Sequence, residues 1–299
     1  MKRIAIVAAL SLFTSLEIKA EETFIAVLNE PQMDGPVSAK ILFVKKGDIW
    51  HSVEKEWNRS GKFDIPDIKA WNWTVAFDGR NLGQLKLFDP NPNEVYTNSW
   101  AFVRDKFFNI ETGQKIPKVQ NRSMQFGGWL KTPENRPLVL VSKPNFSDPE
   151  HWKSIPEERE FKSQLYVPLK LAIGRFNAYH CPDGPETSEE VLFDFQKKDM
   201  VFYKAYGSKN GSKIVAVGID NNKHECDGPL PPEWADNWFL IDGKNIEFIG
   251  REMTLIDAGD YDGDGKSELL FWHNGYNRNG YILISNSFKQ RSQFIWGYH

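Results

Sequence analysis

The sequence predicts an all-β protein, and three observations support this fold class. Short segments such as "WTVAFDG" and "KIVAVGID" alternate apolar residues with a period of two, which is typical of strands. Turns that carry Gly beside Asp, Asn or Lys join these segments, as tight hairpins require. Segments with the periodicity of a helix are scarce, so the strands have no helices with which to alternate.

The predicted strands follow one another as hairpins. Their turns are expected at Lys46-Gly47-Asp48, at Asp78-Gly79, around Pro133 to Arg136, at Asn210-Gly211 and at Asp242-Gly243. An aspartate-rich turn follows within "MTLIDAGDYDGDGKSELLFW", and "YNRNGYILIS" supplies a further strand. The best helix candidate is residues 147–163, which Pro156 interrupts.

Many hairpins in one chain must protect their edges, either by closing on one another or by packing face to face. The turns near residues 79, 135, 211 and 264 recur at intervals of the size of a propeller blade, and the longest interval requires a surface insertion around residues 175–200. The sequence therefore predicts a β-propeller-like assembly of about five blades. A two-sheet β-sandwich is the alternative.

Residues 1–20, "MKRIAIVAALSLFTSLEIKA", have the layout of a secretory signal peptide, with a basic start, an apolar stretch and Ala20 before the expected cleavage. A membrane anchor is the alternative, but the apolar stretch is shorter than the roughly 20 residues that span a bilayer. The pattern predicts a periplasmic or secreted protein. Its mature chain, residues 21–299, is expected to form a single all-β domain without a membrane span.

The two cysteines, Cys181 and Cys226, lie in polar segments rich in turn residues. In an exported protein such a pair is typical of a disulfide, which contributes about 3–4 kcal/mol in a loop-entropy estimate. A metal site is the alternative because His180 and His224 lie nearby. However, neither Cys-x-x-Cys nor His-x-x-x-His spacing occurs, so the disulfide is the prediction.

The stretch "DYDGDGKSE" carries the clearest chemical signal. Asp260, Asp262 and Asp264 stand at alternate positions and Glu268 occupies the ninth place, so oxygen ligands recur as in a loop that wraps around Ca²⁺. The seventh place, Lys266, offers its backbone carbonyl. Without a cation these carboxylates would repel one another and raise each other's pKa. The alternative is an exposed acidic turn that solvent screens.

The flanks of this stretch exclude an EF-hand. An EF-hand requires a bidentate Glu in the twelfth place and a helix on each side. Here the twelfth place is Phe271, and both flanking segments resemble strands. The sequence therefore predicts a calcium loop within a β-hairpin.

With its flanks, the stretch resembles the FG-GAP/VCBS repeat family, whose members include integrin-type β-propellers. The matching residues are "IDAGDYDGDGKSELLFW", and the resemblance extends over residues 255–285. It implies a structural Ca²⁺ between two strands of a blade, held by the side chains of Asp260, Asp262, Asp264 and Glu268 and by the carbonyl of Lys266. The turns in "FDGRNLGQL" and "SKNGSKIVAV" lack the acidic series, so only one hairpin carries the resemblance.

No catalytic motif of the G-x-S-x-G, H-E-x-x-H or P-loop type occurs, and catalytic residues are not assigned. The net charge of −3 argues against a nucleic-acid partner. We therefore expect a calcium-stabilised binding or scaffold module for an extracytoplasmic protein or glycan. The alternative is a secreted or periplasmic polysaccharide hydrolase with an acid pair in the sheet scaffold.

Several aromatic residues are candidates for a ligand surface. Tyr276, Arg278 and Tyr281 lie close to the acidic stretch in sequence and are residue types that recur at contact surfaces. Further candidates, for stacking on a sugar, are Trp71, Trp73, Trp129, Trp234 and Trp238. The alternative for all of these residues is that they pack in the core. His273, beside Trp272, is interpreted as an ordinary residue at the end of a strand.

Overall fold

The computed structural model describes much of the chain beyond residue 21. The described residues are 22–29, 37–53, 71–91, 94–98, 101–104, 107–110, 113–120, 122, 135–175, 177–180, 189–192, 194–220, 236–275 and 278–297. The predicted signal peptide over residues 1–20 lies outside this set. So do Cys181 and Cys226, and with them the predicted disulfide.

Strands make up most of the described chain. Those before the helix are β1 (Thr23–Asn29), β2 (Ser38–Lys46), β3 (Ile49–Ser52), β4 (Asn72–Phe77), β5 (Arg80–Asn91), β6 (Glu94–Asn98), β7 (Ala101–Arg104), β8 (Phe107–Ile110), β9 (Val139–Val141) and β10 (Lys153–Ile155). The helix is α1 (Phe161–Ile173). After it come β11 (Asn177–His180), β12 (Glu189–Leu192), a 3-10 turn (Lys197–Asp199), β13 (Met200–Gly207), β14 (Lys213–Ile219), β15 (Asn237–Asp242), β16 (Asn245–Arg251), β17 (Met253–Gly259), β18 (Glu268–Gly275), β19 (Arg278–Ser285) and β20 (Gln290–Gly297).

The first sheet has seven strands in the order β1-β9-β4-β5-β8-β2-β3, and β1 also pairs with β2. The pairings therefore return from β2 to β1, and each of them is antiparallel. The second edge of β2 is shared, because its beginning pairs with β8 and its end with β3. Unpaired backbone groups at a sheet edge invite pairing with other chains, and the return to β1 reduces them.

Strand β1 is buried on both of its faces. Phe24, Ala26 and Leu28 belong to a cluster formed by residues of the first sheet, whereas Ile25 and Val27 belong to a cluster shared with the last four strands. All five are at most 3% exposed. Each large apolar side chain buried in this way contributes about 1.5–3 kcal/mol. Burial on both faces explains why "FIAVL" is apolar throughout instead of alternating.

The second sheet, in the order β10-β13-β14-β15-β16, carries the helix on one face. Phe161, Leu165, Leu169 and Ile173 recur at every fourth position of α1 and are buried. They pack with Val215 and other residues of the second sheet. No helix in the described part of the chain has the length and apolar character needed to cross a membrane.

The predicted position of the helix is wrong. The sequence favours a helix over residues 147–163, but this segment contains turns and the short strand β10, and α1 begins at Phe161. Pro168 lies inside α1, although proline lacks the N–H that an internal helical position donates. Burial of the apolar stripe outweighs this lost hydrogen bond.

The third sheet consists of β17-β18-β19-β20 in chain order and lies between the first and the second sheet. Leu270 and Leu283 pack in a cluster with the first sheet. Leu269 and Phe271 pack in a cluster with the second sheet. The layers are thus α1, the second sheet, the third sheet and the first sheet. The third sheet therefore has two buried faces.

Most of the predicted turns are confirmed. Turns connect β2 with β3, β4 with β5, β13 with β14 and β15 with β16 at the expected places. Asp78 and Gly79 both have positive φ angles, 51° and 65°, as a tight two-residue hairpin turn requires. Much of the hairpin predicted around Pro133 lies outside the described residues.

The all-β prediction is confirmed. The described sheets are antiparallel and stack face to face, which is compatible with the sandwich alternative. The propeller is not confirmed. Strands β11 and β12 form a separate hairpin in the region where the sequence places an insertion.

Candidate metal centre

The acidic loop, residues 260–267, connects the first two strands of the third sheet. Strand β17 ends at Gly259, which pairs with Glu268, the first residue of β18. A Cβ atom at Gly259 would lie 2.2 Å from the ring of Phe146, so this position requires glycine for close packing. The pairing of Gly259 with Glu268 and the packing of Gly259 against Phe146 fix the position of the loop.

The loop curls around the carboxylate of Asp260. The Oδ1 atom of Asp260 accepts hydrogen bonds from the N–H groups of Gly263 and Asp264, at 2.6 and 3.0 Å. The Oδ2 atom accepts one from Gly265 at 2.9 Å. Gly263 and Gly265 have φ angles of 82° and 84°, a conformation that glycine adopts without strain.

Three carboxylates converge in this loop. One oxygen each of Asp260, Asp262 and Glu268 lies within 4.8 Å of the others. Two oxygens on opposite sides of a Ca²⁺ ion lie about 5 Å apart, because each Ca–O distance is about 2.4 Å. The donor set is therefore of the right chemical type and spacing for a hard divalent cation.

Asp264 and Lys266 lie beside this group. Asp264 is exposed, and its Oδ1 atom accepts a hydrogen bond from the N–H of Lys266 at 2.8 Å. The three-carboxylate group does not include Asp264. Its role as a ligand, and that of the Lys266 carbonyl, stay predictions.

Burial makes the negative charge in this group costly. The pKa of Glu268, which is 2% exposed, is raised to about 9 by loss of water and by the charge of Asp262, although the Tyr261 N–H donates a hydrogen bond that lowers it. Burial also raises the pKa of Asp260, against the effect of its backbone hydrogen bonds. A cation in the group would offset this cost.

Lys45 brings a positive charge to the loop from another sheet. Its ammonium group forms an ion pair with the Oδ2 atom of Asp262. Burial lowers the pKa of Lys45, but the Asp262 hydrogen bond and the charges of Asp262, Glu268 and Asp264 outweigh burial and raise it. Lys45 is not among the residues predicted from the sequence, because 217 residues separate it from Asp262 and no local pattern marks it.

A tyrosine inside the loop anchors it to the core. Tyr261 is 0% exposed and stacks on Phe146, with 5.3 Å between the ring centroids. Its hydroxyl donates a hydrogen bond to the Oδ2 atom of Asp257 at 3.1 Å. Asp260 and Asp262 thus join the three-carboxylate group, whereas Tyr261 between them points into the interior.

Asp148 ties the segment before β10 to the acidic loop. Its carboxylate accepts hydrogen bonds from the N–H groups of Glu150, His151 and Trp152 and from the hydroxyl of Ser267, the last at 2.6 Å. The neighbouring Ser147 carbonyl accepts a hydrogen bond from the Asp260 N–H at 2.8 Å. No pattern in the sequence indicates the contacts with Ser267 and Asp260, since in each case the partners lie more than a hundred residues apart.

The aromatic ligand candidates are mainly core residues. Tyr281, Trp73 and Trp238 are at most 2% exposed, so a contact surface is the wrong interpretation for them. Trp71 is half-buried and packs on Phe24. Arg278 is exposed at the start of β19. The remaining candidates lie outside the described residues, namely Tyr276, Trp129 and Trp234.

His273 lies in β18 and does not join the acidic loop. Its Nδ1 atom is 3.1 Å from the carbonyl oxygen of Glu252. Burial lowers its pKa. This is the ordinary structural environment that the sequence predicts for it.

Comparisons with known proteins identify no relative of this chain. No protein-family model, no curated protein and no solved structure matches the chain. The resemblance of residues 255–285 to a calcium-binding hairpin therefore stays a prediction, and the geometry of the loop is the observation on which a function can be argued.

Proposed function

We propose that the protein is an exported, calcium-stabilised β-repeat protein that acts as a binding or scaffold module for an extracytoplasmic protein or glycan. The observation that carries this proposal is the convergence of Asp260, Asp262 and Glu268 within 4.8 Å in a hairpin loop. The loop matches the ligand spacing of the FG-GAP/VCBS repeats that residues 255–285 resemble. Oxygen donors from carboxylates are the ligands that Ca²⁺ prefers.

The proposed role of the ion is structural. The loop contacts the first sheet through Lys45 and the segment around Asp148 through Ser267. A bound Ca²⁺ supplies positive charge that cancels the repulsion among the carboxylates. With this repulsion cancelled, the hydrogen bond from Ser267 to Asp148 and the stacking of Tyr261 on Phe146 hold the loop in place.

The outer layer supports a role in binding. Val167 and Leu171, one helical turn apart on α1, are 60% and 79% exposed, and Phe248 on β16 is 39% exposed. Contiguous exposed apolar patches mark surfaces that contact other molecules, and Val167 and Leu171 lie on the same face of α1. Helix α1 packs on the second sheet, which supports this surface from below.

The described residues offer little support to the hydrolase alternative. A retaining or inverting glycosidase needs two carboxylates that face a substrate cleft. A cleft of about 400 Å³ beside β13 and β14 is lined by His151, Lys153, Ser208 and neighbours. Its carboxylate, that of Glu158, is paired with Lys213 at 2.7 Å from each oxygen.

Titration calorimetry with CaCl₂ on metal-stripped protein tests the calcium site. We expect saturable binding of one ion in the wild type. D260N should abolish this binding, because Asp260 is both a ligand and the centre of the loop. D242N is the matched control, because Asp242 lies beside another hairpin turn, away from the acidic loop. The hydrogen bond described for its side chain is the one that it accepts from the hydroxyl of Ser212. Absence of binding to the wild type would refute the site.

A glycan array together with a hydrolysis assay on the same polysaccharides tests the activity. If the protein is a binding module, we expect it to bind glycans on the array, or an extracytoplasmic protein partner, and to leave the polysaccharides uncleaved in the hydrolysis assay. Release of reducing ends by the wild type would instead establish the hydrolase.

A further inference from the structure

Lys45 reaches the acidic loop from a fixed position. It lies near the end of β2, where its backbone is in register with Thr23 of β1 and with Trp50 of β3. Its side chain is 19% exposed, and that of its partner Asp262 is 3% exposed. Because both neighbouring strands hold β2, the ion pair is a built contact rather than a chance meeting of two surface side chains.

The ammonium group of Lys45 lies beside several carboxylates of the acidic loop. It interacts attractively with Asp262, Glu268 and Asp264, and Asp262 and Glu268 belong to the three-carboxylate group. The two oxygens of Asp262 are both engaged, since Oδ1 accepts the Asp264 N–H at 3.0 Å and Oδ2 contacts Lys45. The neutral N–H of Asp264 can remain hydrogen-bonded to Asp262 when this carboxylate binds a metal ion. The ammonium group of Lys45 cannot, because the metal ion repels its positive charge.

We propose that Lys45 is an internal counter-ion of the acidic loop, which a divalent cation must displace from Asp262 in order to bind. This inference rests on the calcium site of the proposed function. Lys45 stabilises the loop while no metal is bound, and the same contact lowers the affinity of the loop for Ca²⁺. Occupancy of the loop thereby alters a contact between the first and third sheets.

Substitution of Lys45 tests the competition directly. In K45M the side chain keeps its approximate length and loses its charge. We expect K45M to bind Ca²⁺ about fivefold more tightly than the wild type, because a partly buried ion pair no longer has to be broken. K45R keeps the charge and should bind nearly as the wild type does. The matched control is K213M, which removes the ion pair of Lys213 with Glu158 away from the loop.

Chemical labelling of the wild type provides a measurement that does not depend on a variant folding. Reductive methylation followed by mass spectrometry reports the reactivity of each lysine. With EDTA, Lys45 should react slowly because the ion pair holds its ammonium group. With saturating CaCl₂ its reactivity should rise severalfold, whereas Lys213 should react equally in both conditions.

The outcomes separate the two proposals. If the wild type binds no Ca²⁺ in calorimetry, the calcium site and this inference both fail. If the wild type binds Ca²⁺ but Lys45 labelling does not change, the calcium site stands and the counter-ion role is overturned. Unchanged or weaker Ca²⁺ binding by a folded K45M overturns that role as well.

Discussion

The carboxylate of Asp257 accepts a hydrogen bond from the backbone N–H of Gly79, with 2.9 Å between Oδ1 and the nitrogen. Asp257 lies in β17 of the third sheet, and Gly79 lies in the hairpin turn between β4 and β5 of the first sheet. The side chain of Asp257, a residue that is 3% exposed, thus joins the third sheet to the first sheet. Its partner, the N–H of Gly79, lies 178 residues away in the sequence. The contact holds the turn of the first sheet against the third sheet.

Asp257 should make the stability of the protein depend on pH. Burial raises its pKa from 3.8 to about 7, although the Gly79 and Tyr261 hydrogen bonds lower it. Between these values the folded protein binds one more proton than the unfolded chain, so its contribution to stability is lost as the pH rises. The loss is on the order of 4 kcal/mol across that range.

Comparison with D257N isolates this contribution. The asparagine does not ionise and can still accept the Gly79 hydrogen bond. Urea denaturation between pH 4 and 8 in the presence of EDTA should show that the wild type loses stability relative to D257N as the pH rises. Parallel pH profiles for the two proteins would contradict the assignment.

The close packing around Gly79 should make it intolerant of a side chain. A Cβ atom at this position would lie 2.5 Å from the Cβ of Asp148. We expect G79A to destabilise the protein by about 2–4 kcal/mol, from overlap together with the cost of a positive φ angle. G47A is the matched control, since Gly47 has a φ of 62° with nothing within 4 Å of its Cβ position. Equal losses in the two variants would show that backbone strain alone explains the effect.

Removal of the Asp148 carboxylate should destabilise the junction between β10 and the acidic loop. D148A leaves the N–H group of Trp152 and the hydroxyl of Ser267 without the carboxylate that accepts their hydrogen bonds, and we expect a loss of about 3 kcal/mol in the free energy of unfolding. D194A removes an acid that is exposed and paired with Lys170, and should cost less than about 1 kcal/mol. Chemical denaturation of both variants measures the difference, and a similar cost for the two would be inconsistent with a junction role.

Chelation should lower the melting temperature if the acidic loop holds Ca²⁺. A ligand at about a hundred times its dissociation constant stabilises the native state by about 3 kcal/mol. Melting curves of the wild type with EDTA and with CaCl₂ should therefore differ by several degrees, and more than curves with and without a disulfide reductant. MgCl₂ in place of CaCl₂ is the control for ionic strength. Identical melting temperatures in EDTA and CaCl₂ would count against a structural ion.

Local chemistry made part of the fold predictable. The pair Asp78 and Gly79 demands a tight turn because of its backbone preferences, and the turn lies where the sequence places it. The series from Asp260 to Glu268 likewise indicates a hairpin loop from the sequence alone, because its glycines and strand-like flanks are local features. These predictions need no knowledge of tertiary contacts.

The rest depends on contacts between distant residues. Lys45 and Asp262 meet only because two sheets stack, and nothing in either segment indicates the other. Helix α1 has a visible apolar stripe from Phe161 to Ile173, but Pro168 argues against a helix there, and only burial on the second sheet outweighs that preference. Trp73 and Trp238 could not be assigned to core or surface from composition, since tryptophan occurs in both.

The position of the third sheet has a consequence for the order in which the molecule is built. Residues 253–297 follow the strands of both neighbouring layers along the chain and are synthesised after them, yet they fill the space between them. Until then, the face of the first sheet that packs on the third sheet and the helix-free face of the second sheet have no cover. The incompletely folded chain is consequently most prone to aggregation while the hairpins of the third sheet are missing, and completion of the stack is a late, cooperative event in folding.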